Sequence, residues 1–488
     1  MKQLLLLALG VAFTATSALA QTENGAFAAT GRGASTPFTT DYHALGINPA
    51  NLSLPSRFEN KSVTFGLFEG TLSTYSEFFT KDEVRKLIVQ DEFEVLDQQQ
   101  RYDYANSFAG QTTRVDIDLI TSGVSVNMGN AGTIAFSTRE RVDFSATLGP
   151  QLSELLFLGY ASSYFPELIL NNGDTIANTG NLSADTLVLI DRGIVDVNNA
   201  MKFSEIVDGT SAGFSWIREF NLGYGKQILS TDDIALHVGV GGKLLLGNAW
   251  MQVDVDGSDV DVFSALSPVF GIDYDEIEGD NPSAFAADAP DLKPVGLGWG
   301  VDIGATLVWR EKLHINAAVN DIGRMKWDGN LYELNDQLFT EFTDDGAETA
   351  NVIEEIINFS SPESAFEWTG SSSRTTKLST IARVGAGLRV HPKLDLAADA
   401  ILPVTETVVS YDQPIISLGG DFRPLDFIQL SAGMITGNDE PAKIPVGLTF
   451  IVGKGTWEFG FASRDMITWF TEDNPTASLS WGFLRFRV

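Results

Sequence analysis

Residues 481–488 constrain the fold more than any other stretch of the chain. Leu484, Phe486 and Val488 alternate there with Arg485 and Arg487. Successive side chains of a strand point to opposite faces, so one face of this segment is greasy and the other carries guanidinium groups. The interior of an ordinary sandwich has no place for a row of arginines. The wall of an outer-membrane barrel does, because one side meets lipid and the other a polar lumen. Val488 departs from the aromatic residue that usually ends such walls. The competing reading is an amphipathic edge strand of a soluble β-protein.

The opposite end agrees with export. Met1-Lys2 leads into an apolar run from Leu4 to Phe13, and Ser17-Ala-Leu-Ala20 precedes Gln21. A short cationic start, an apolar run and small residues describe a secretory signal peptide over 1–20, with cleavage expected near Ala20. The run is too short and wrongly flanked for an anchor, and no later stretch approaches the ~18 uninterrupted apolar residues of a spanning helix. If such a chain spans a membrane, it must do so with strands. It contains no cysteine in 488 residues, so no disulfide framework supports it. A net charge of −32 argues against nucleic acid as a partner, since its binders need a basic footprint.

Period-two alternation marks about fourteen segments, the even number that closed single-chain barrels of this class require. They are 61–70, 112–128, 133–147, 211–228, 233–253, 294–310, 312–325, 375–390, 393–409, 414–422, 426–436, 443–452, 456–464 and 477–488. Tight connections alternate with long ones at 71–111, 148–210, 254–293 and 326–374. With a periplasmic N-terminus, every tight turn falls on the same side. The expected fold is all-β: a transmembrane antiparallel barrel over 61–488, with partly helical extracellular loops near 80–100 and 148–210. Trp216, Tyr224, Trp299, Trp309 and Trp481 are expected in aromatic girdles. Charges fall on one face of the strands, which assigns Arg114, Asp116, Asp118, Arg139, Arg141, Asp143, Arg383, Arg389, Asp395, Asp399, Arg485 and Arg487 to the lumen. Mixed signs on adjacent strands suggest ion-paired networks that rigidify a plugged interior.

Residues 31–52 are a poor strand, rich in glycine, proline and small polar side chains. Here Gly31, Gly33, Asp41, Asn48, Pro49, Ala50 and Leu52 resemble the opening motif of the FadL-type superfamily of outer-membrane barrels. A second likeness, Val319-Asn-Asp-Ile-Gly323 with Trp327, is similar to a strand hallmark of FadL-like proteins of Bacteroidota, including the porin V group and an uncharacterised family. The resemblance implies a fourteen-strand barrel, uptake or handling of a hydrophobic small molecule, and a hatch over 21–60 that folds in from the periplasmic end. The porin V likeness implies the alternative, a non-transporting scaffold or shuttle for secreted or surface proteins.

Other chemistry is sparse. His43, His237, His314 and His391 have no metal-ligand spacing, and no nucleophile signature accompanies them, so no enzyme activity and no cofactor is expected. Asp254, Asp256, Asp259 and Asp261 crowd a glycine turn as calcium would need, but without a full loop or distal Glu, and a solvated acidic hairpin is the competing reading. Expected partners are outer-membrane lipid, a hydrophobic ligand, and the barrel-assembly machinery acting on the C-terminal strand. The expected state is a monomer in the outer membrane.

Overall fold

The computed structural model describes residues 27–58, 61–76, 98–180, 182–257, 259–267, 269, 292–334, 336–343, 366–405, 413–437, 440–466, 470 and 476–488. The signal peptide lies outside the described residues. So does the helix expected near 80–100, except for its last three positions, which open a helix over Gln98–Phe108.

In chain order, β1 (Val63–Ser76), β2 (Thr112–Asn127) and β3 (Thr133–Thr147) start the wall. The following loop carries β4 (Glu167–Leu170), β5 (Thr175–Ala177) and β6 (Ile190–Ile194). The wall resumes with β7 (Ser211–Ser230), β8 (Ile234–Asp256), β9 (Asp259–Leu266), β10 (Gly296–Trp309) and β11 (Leu313–Leu334). After the two-residue β12 (Glu341–Phe342) come β13 (Phe366–Lys377), β14 (Ile381–His391), β15 (Leu394–Pro403), β16 (Ile415–Leu425) and β17 (Ile428–Gly437). The last are β18 (Glu440–Lys443), β19 (Val446–Val452), β20 (Trp457–Ser463) and β21 (Ala477–Arg487).

Every wall pairing is antiparallel, and β1 pairs with β21 from Thr64↔Arg487 to Thr74↔Ala477, which closes the cylinder at fourteen strands. Closure leaves no unpaired edge, the condition for a sheet in hydrocarbon. Three wall positions are each built from two successive strands. β9 continues the line of β10 between β8 and β11, β13 continues that of β14, and β18 that of β19. The loops expected at 254–293 and 326–374 thus give part of their length to wall strands. Those stretches fall within the segments assigned to loops, and β13 is mostly small and polar, while β9 carries the buried Val262, Phe263 and Ala265.

Leucine, isoleucine, valine and phenylalanine cover the outer face. Leu222, Leu297, Leu418 and Phe461 are about half exposed or more, and each wall position contributes an exposed apolar residue. An apolar surface running round the whole molecule far exceeds the patches of soluble monomers and fits a hydrocarbon surround. Of the expected girdle residues, Tyr224, Trp299 and Trp309 are exposed on this face. Trp216 is half-buried, and its indole N–H donates to Glu140, which also pairs with Arg218.

At the long-loop end, α2 (Gln98–Phe108), α3 (Pro150–Leu158), the short α4 (Ala184–Leu187) and α5 (Phe203–Val207) join a small sheet ordered β12–β6–β4–β5. Helix was expected in 148–210; the small sheet was not. Leu152, Leu156, Phe157, Phe108 and Phe203 pack on Val253, Val255 and Val262 at the wall's upper rim. The lid thus has an apolar core continuous with the barrel.

Substituting Leu418→Arg, at the middle of β16, should lower the unfolding free energy in lipid vesicles by about 2–4 kcal/mol. Urea unfolding followed by tryptophan fluorescence reads this. An unchanged midpoint would mean that this face does not meet hydrocarbon.

Candidate functional site: the filled lumen

Residues 27–54 lie inside the barrel, as α1 (Phe27–Arg32) followed by two 3-10 turns, Asp41–Ala44 and Pro49–Ser53. The wall accommodates them with glycines on its inner face. A Cβ on Gly66 would stand 2.0 Å from the Tyr42 hydroxyl, and one on Gly123 would stand 2.3 Å from its ring. Gly239 stands as closely against Pro49, and Gly304 against the Asn48 amide. Gly31 meets the backbone of Gly447, where any side chain would collide. Gly33, at φ +80°, turns the chain out of α1, a conformation that glycine adopts without cost.

The Asn-Pro-Ala motif is a cap and an anchor. Asn48 Oδ1 accepts from the Ala50 N–H at 3.1 Å, and Pro49 occupies the first position of the turn, where no N–H is needed. Asn48 Nδ2 donates to Thr306 Oγ1 at 3.0 Å, tying the turn to β10. Leu52 packs with Tyr42, Leu45 and Ala135.

Ion pairs hold the rest. Arg32 Nη1 lies 2.5 Å from Asp421, and its other nitrogens donate to the carbonyls of Ala34 and Pro37. Asp399 Oδ2 accepts the backbone N–H groups of Ser35 and Thr36, both at 2.8 Å, while Arg383 donates to the Ser35 hydroxyl. Asp41 lies 2.5 Å from Arg485, which shares Glu458 with Arg487. His43 and Tyr42 both reach Glu69, at 2.5 and 2.8 Å. Asp395 pairs with Arg57 and Arg423.

A second network lies within the wall. Arg139 forks onto Asp118, Arg141 pairs with Glu219 at 2.8 Å, and Lys243 bridges Asp302 and Asp321 at 3.2 and 2.5 Å. The Asn320-Asp321 pair explains the Asn-Asp-Ile-Gly motif. Both residues are buried inward, although neighbours on a regular strand would face opposite ways. Asp321 permits this at φ +58°, and its N–H donates to Asp302. The wall partner of β11 changes from β14 to β13 at the same level. A Cβ on Gly323 would stand 2.0 Å from the Trp299 carbonyl, so the bulge leaves no room there. Trp327, fully buried, lies over Gly247 and Gly296 and donates to Thr376.

A family model matches residues 62–457, most of the barrel. The chain belongs to DUF5723, a family of unknown function. No curated protein matches the sequence. Among solved structures, the Pseudomonas putida toluene transporter TodX is 11% identical over 97% of this chain and 99% of its own, at a TM-score of 0.41. The CymD monoaromatic hydrocarbon channel is 9% identical over 96% and 99%, at 0.42. A Pseudomonas aeruginosa FadL homologue is 12% identical over 95% and 98%, at 0.36. These likenesses span whole chains rather than superposed detail.

Of the lumen charges expected in this DUF5723 chain, Asp116, Asp118, Arg139, Asp143, Arg383, Asp395, Asp399, Arg485 and Arg487 are buried, and Arg114, Arg141 and Arg389 are half-buried. Asp143 accepts from Ser215. Arg389 stands over the Phe38 ring. His237 faces Ser53 at 2.8 Å, His314 packs edge-on to Phe38, and His391 is the exposed last residue of β14. Asp254 and Asp256 face Asp261 and Asp259 across the β8–β9 hairpin, exposed except for Asp261, which Arg374 neutralises at 2.6 Å. Among the described residues no three His, Cys, Asp or Glu converge on a metal position. Alternation also put Lys243 and Asp302 on the lumen side of their strands, whereas sequence reasoning did not single out Arg32, Glu69, Glu219, Asp321, Asp421 and Glu458 as lumen charges. The inward register of Asp421 and Glu458 was legible from their strands; that of Asp321 was not, because the bulge inverts it.

Replacing Asp421 with Ala leaves the buried Arg32 without its carboxylate and should cost about 3–5 kcal/mol of unfolding free energy. The double variant Arg32→Met with Asp421→Leu should recover most of that loss. Urea unfolding of the purified protein reads both. A single variant as stable as the parent would show that the pair does not hold the inner segment.

Proposed function

We propose that this outer-membrane barrel passes or handles a small hydrophobic molecule, with residues 21–60 acting as a hatch. One observation carries the reading, an interruption in the wall between β1 and β21. The ladder pairs Leu67↔Leu484 and Gly70↔Trp481 but not the residues between. Phe68, at φ +53°, and its neighbour Phe483 both turn outward, and both strands exchange their inner and outer faces there. The Trp481 indole covers the interruption, packing over Gly70 and donating to the Phe68 carbonyl at 3.0 Å. Phe27, Tyr42 and Leu45 of the inner segment line the small cavity of about 20 Å³ behind it. A hydrophobic solute could move from lipid past Trp481 to the apolar side chains of the inner segment, with the paired charges Glu69, Asp118 and Arg139 forming the far side of the same cavity. TodX and CymD, by their names, carry toluene and monoaromatic hydrocarbons, which is the solute class adopted here.

A Cβ on Gly385 would stand 3.1 Å from the Thr36 Cβ, near disulfide geometry, and the chain has no native cysteine. The variant Thr36→Cys with Gly385→Cys should therefore lock the hatch. In vesicles reconstituted with it, toluene uptake should fall when oxidised and return to the parental rate when reduced. Equal rates in both states, with the crosslink verified, would overturn the hatch. Trp481→Ala should raise the rate by about tenfold or less, the scale of one lost packing and hydrogen-bond contact.

A scaffold or shuttle for secreted proteins is the second reading. The lid at the long-loop end favours it, with Val188 and Val197 well exposed on its surface. A protein co-purifying at equal stoichiometry and lost on deletion of 162–200 would support that reading.

A further inference from the structure

The short-turn end of the lumen holds a cavity of about 120 Å³, far larger than the one behind Trp481. Arg32, Arg57, Arg389, Arg423, Arg485 and Arg487 all contribute to its walls, whereas only Asp395, Asp421 and Glu458 bring carboxylates. Asp41, bonded to Arg485 from behind, is a fourth acid. Two guanidinium charges therefore remain in excess, in a protein whose overall charge is −32. The excess is local and specific in position. Arg389 makes no close ion pair among the described residues: the Phe38 ring lies against it, and the carboxylates of Asp395, its ladder partner, and Glu311 act on it only from farther off. The Nε atoms of Arg389, Arg423 and Arg485 are buried without hydrogen-bond partners. A buried cation left unpaired is costly, and an unmade charge-assisted hydrogen bond adds to that cost.

We propose that this cavity is a binding site for a phosphate-class oxyanion. Guanidinium groups match such an anion better than any other, because their planar donors fork onto two oxygens at once. The volume suits it as well, being room for about four waters or for one phosphate group. Arg57 is partly exposed and Arg389 and Arg423 half-buried, so the anion enters from the side of the short turns. Bound there, it would join Arg32 and Arg57 of the inner segment to Arg389 and Arg423 of the wall. The site stands independently of whether the barrel transports anything.

The chemistry has two sources, free phosphate and the head of a phospholipid. The test uses the intact protein in a non-ionic detergent, with thermal unfolding and calorimetry against sodium phosphate and against sodium chloride at matched ionic strength. Phosphate should raise the midpoint where chloride does not. Arg389→Gln, which breaks no ion pair of the network, should fold normally and weaken phosphate binding by about tenfold. Short-chain phosphatidic acid then separates the sources. Binding tighter than phosphate, and weakened by the same substitution, assigns the site to a lipid head; equal binding assigns it to the free anion. Identical midpoints in phosphate and chloride would overturn the proposal, as would an unaltered phosphate affinity in Arg389→Gln.

Discussion

A charge enclosed by a hydrocarbon-facing wall has to find its partner inside the protein, and the lumen is arranged around that requirement. Asp399, Asp421, Glu69 and Arg485 each face inward from a wall strand, and each meets a group carried by residues 32–43. The N-terminal segment is thus the counterpart of the inner wall. Neither half satisfies its polar groups alone, and removing one partner of a buried pair strands the other.

Close approach makes those bonds geometrically available. Wall glycines such as Gly66, Gly123, Gly239 and Gly304 bring the backbone of the inner segment against the strands, so side chains of ordinary reach can bond across the gap. The outer face follows the opposite rule, with bulky aliphatic and aromatic residues at the same pitch along each strand. Where the two faces exchange, at Phe68 and at Asp321, the backbone enters the left-handed region at a non-glycine residue. Such positions persist only when their surroundings fix them. At Asp321 that fixing comes from Lys243 and Asp302, and at Phe68 it includes the Trp481 hydrogen bond.

Much of this was legible in the chain. Alternation across Arg485 and Arg487 gave the lumen face of the last strand, and the regular succession of short turns gave the closed, even-numbered wall. Of the twelve charges read as lumen-facing from the pattern, nine are buried and Arg114, Arg141 and Arg389 half-buried; a period of two is robust wherever one face is lipid. The pattern failed where its physical cause ceases. Above the membrane the wall packs against the lid instead of lipid, so β9 and the lid sheet bury residues such as Phe263 and Leu168 without a lipid-facing row to mark them, and β13 is largely small and polar. At Asn320-Asp321 the bulge moves one residue across the wall, which a strict alternation cannot foresee. Motif likeness marked 31–52 as special, but the partners of Arg32 and Asp41 lie more than 300 residues away and follow only from closure of the cylinder.

The central claim is that residues 27–58 and the wall together fill the lumen through their shared ion pairs. Conductance in planar bilayers tests it most directly, comparing the intact mature chain with one lacking 27–58 and refolded in the same detergent. The intact barrel should show no steady ion current, and the deleted form should open a continuous pore. Equal conductance in the two would contradict the account, because it would leave the inner segment lining a path that is open without its removal.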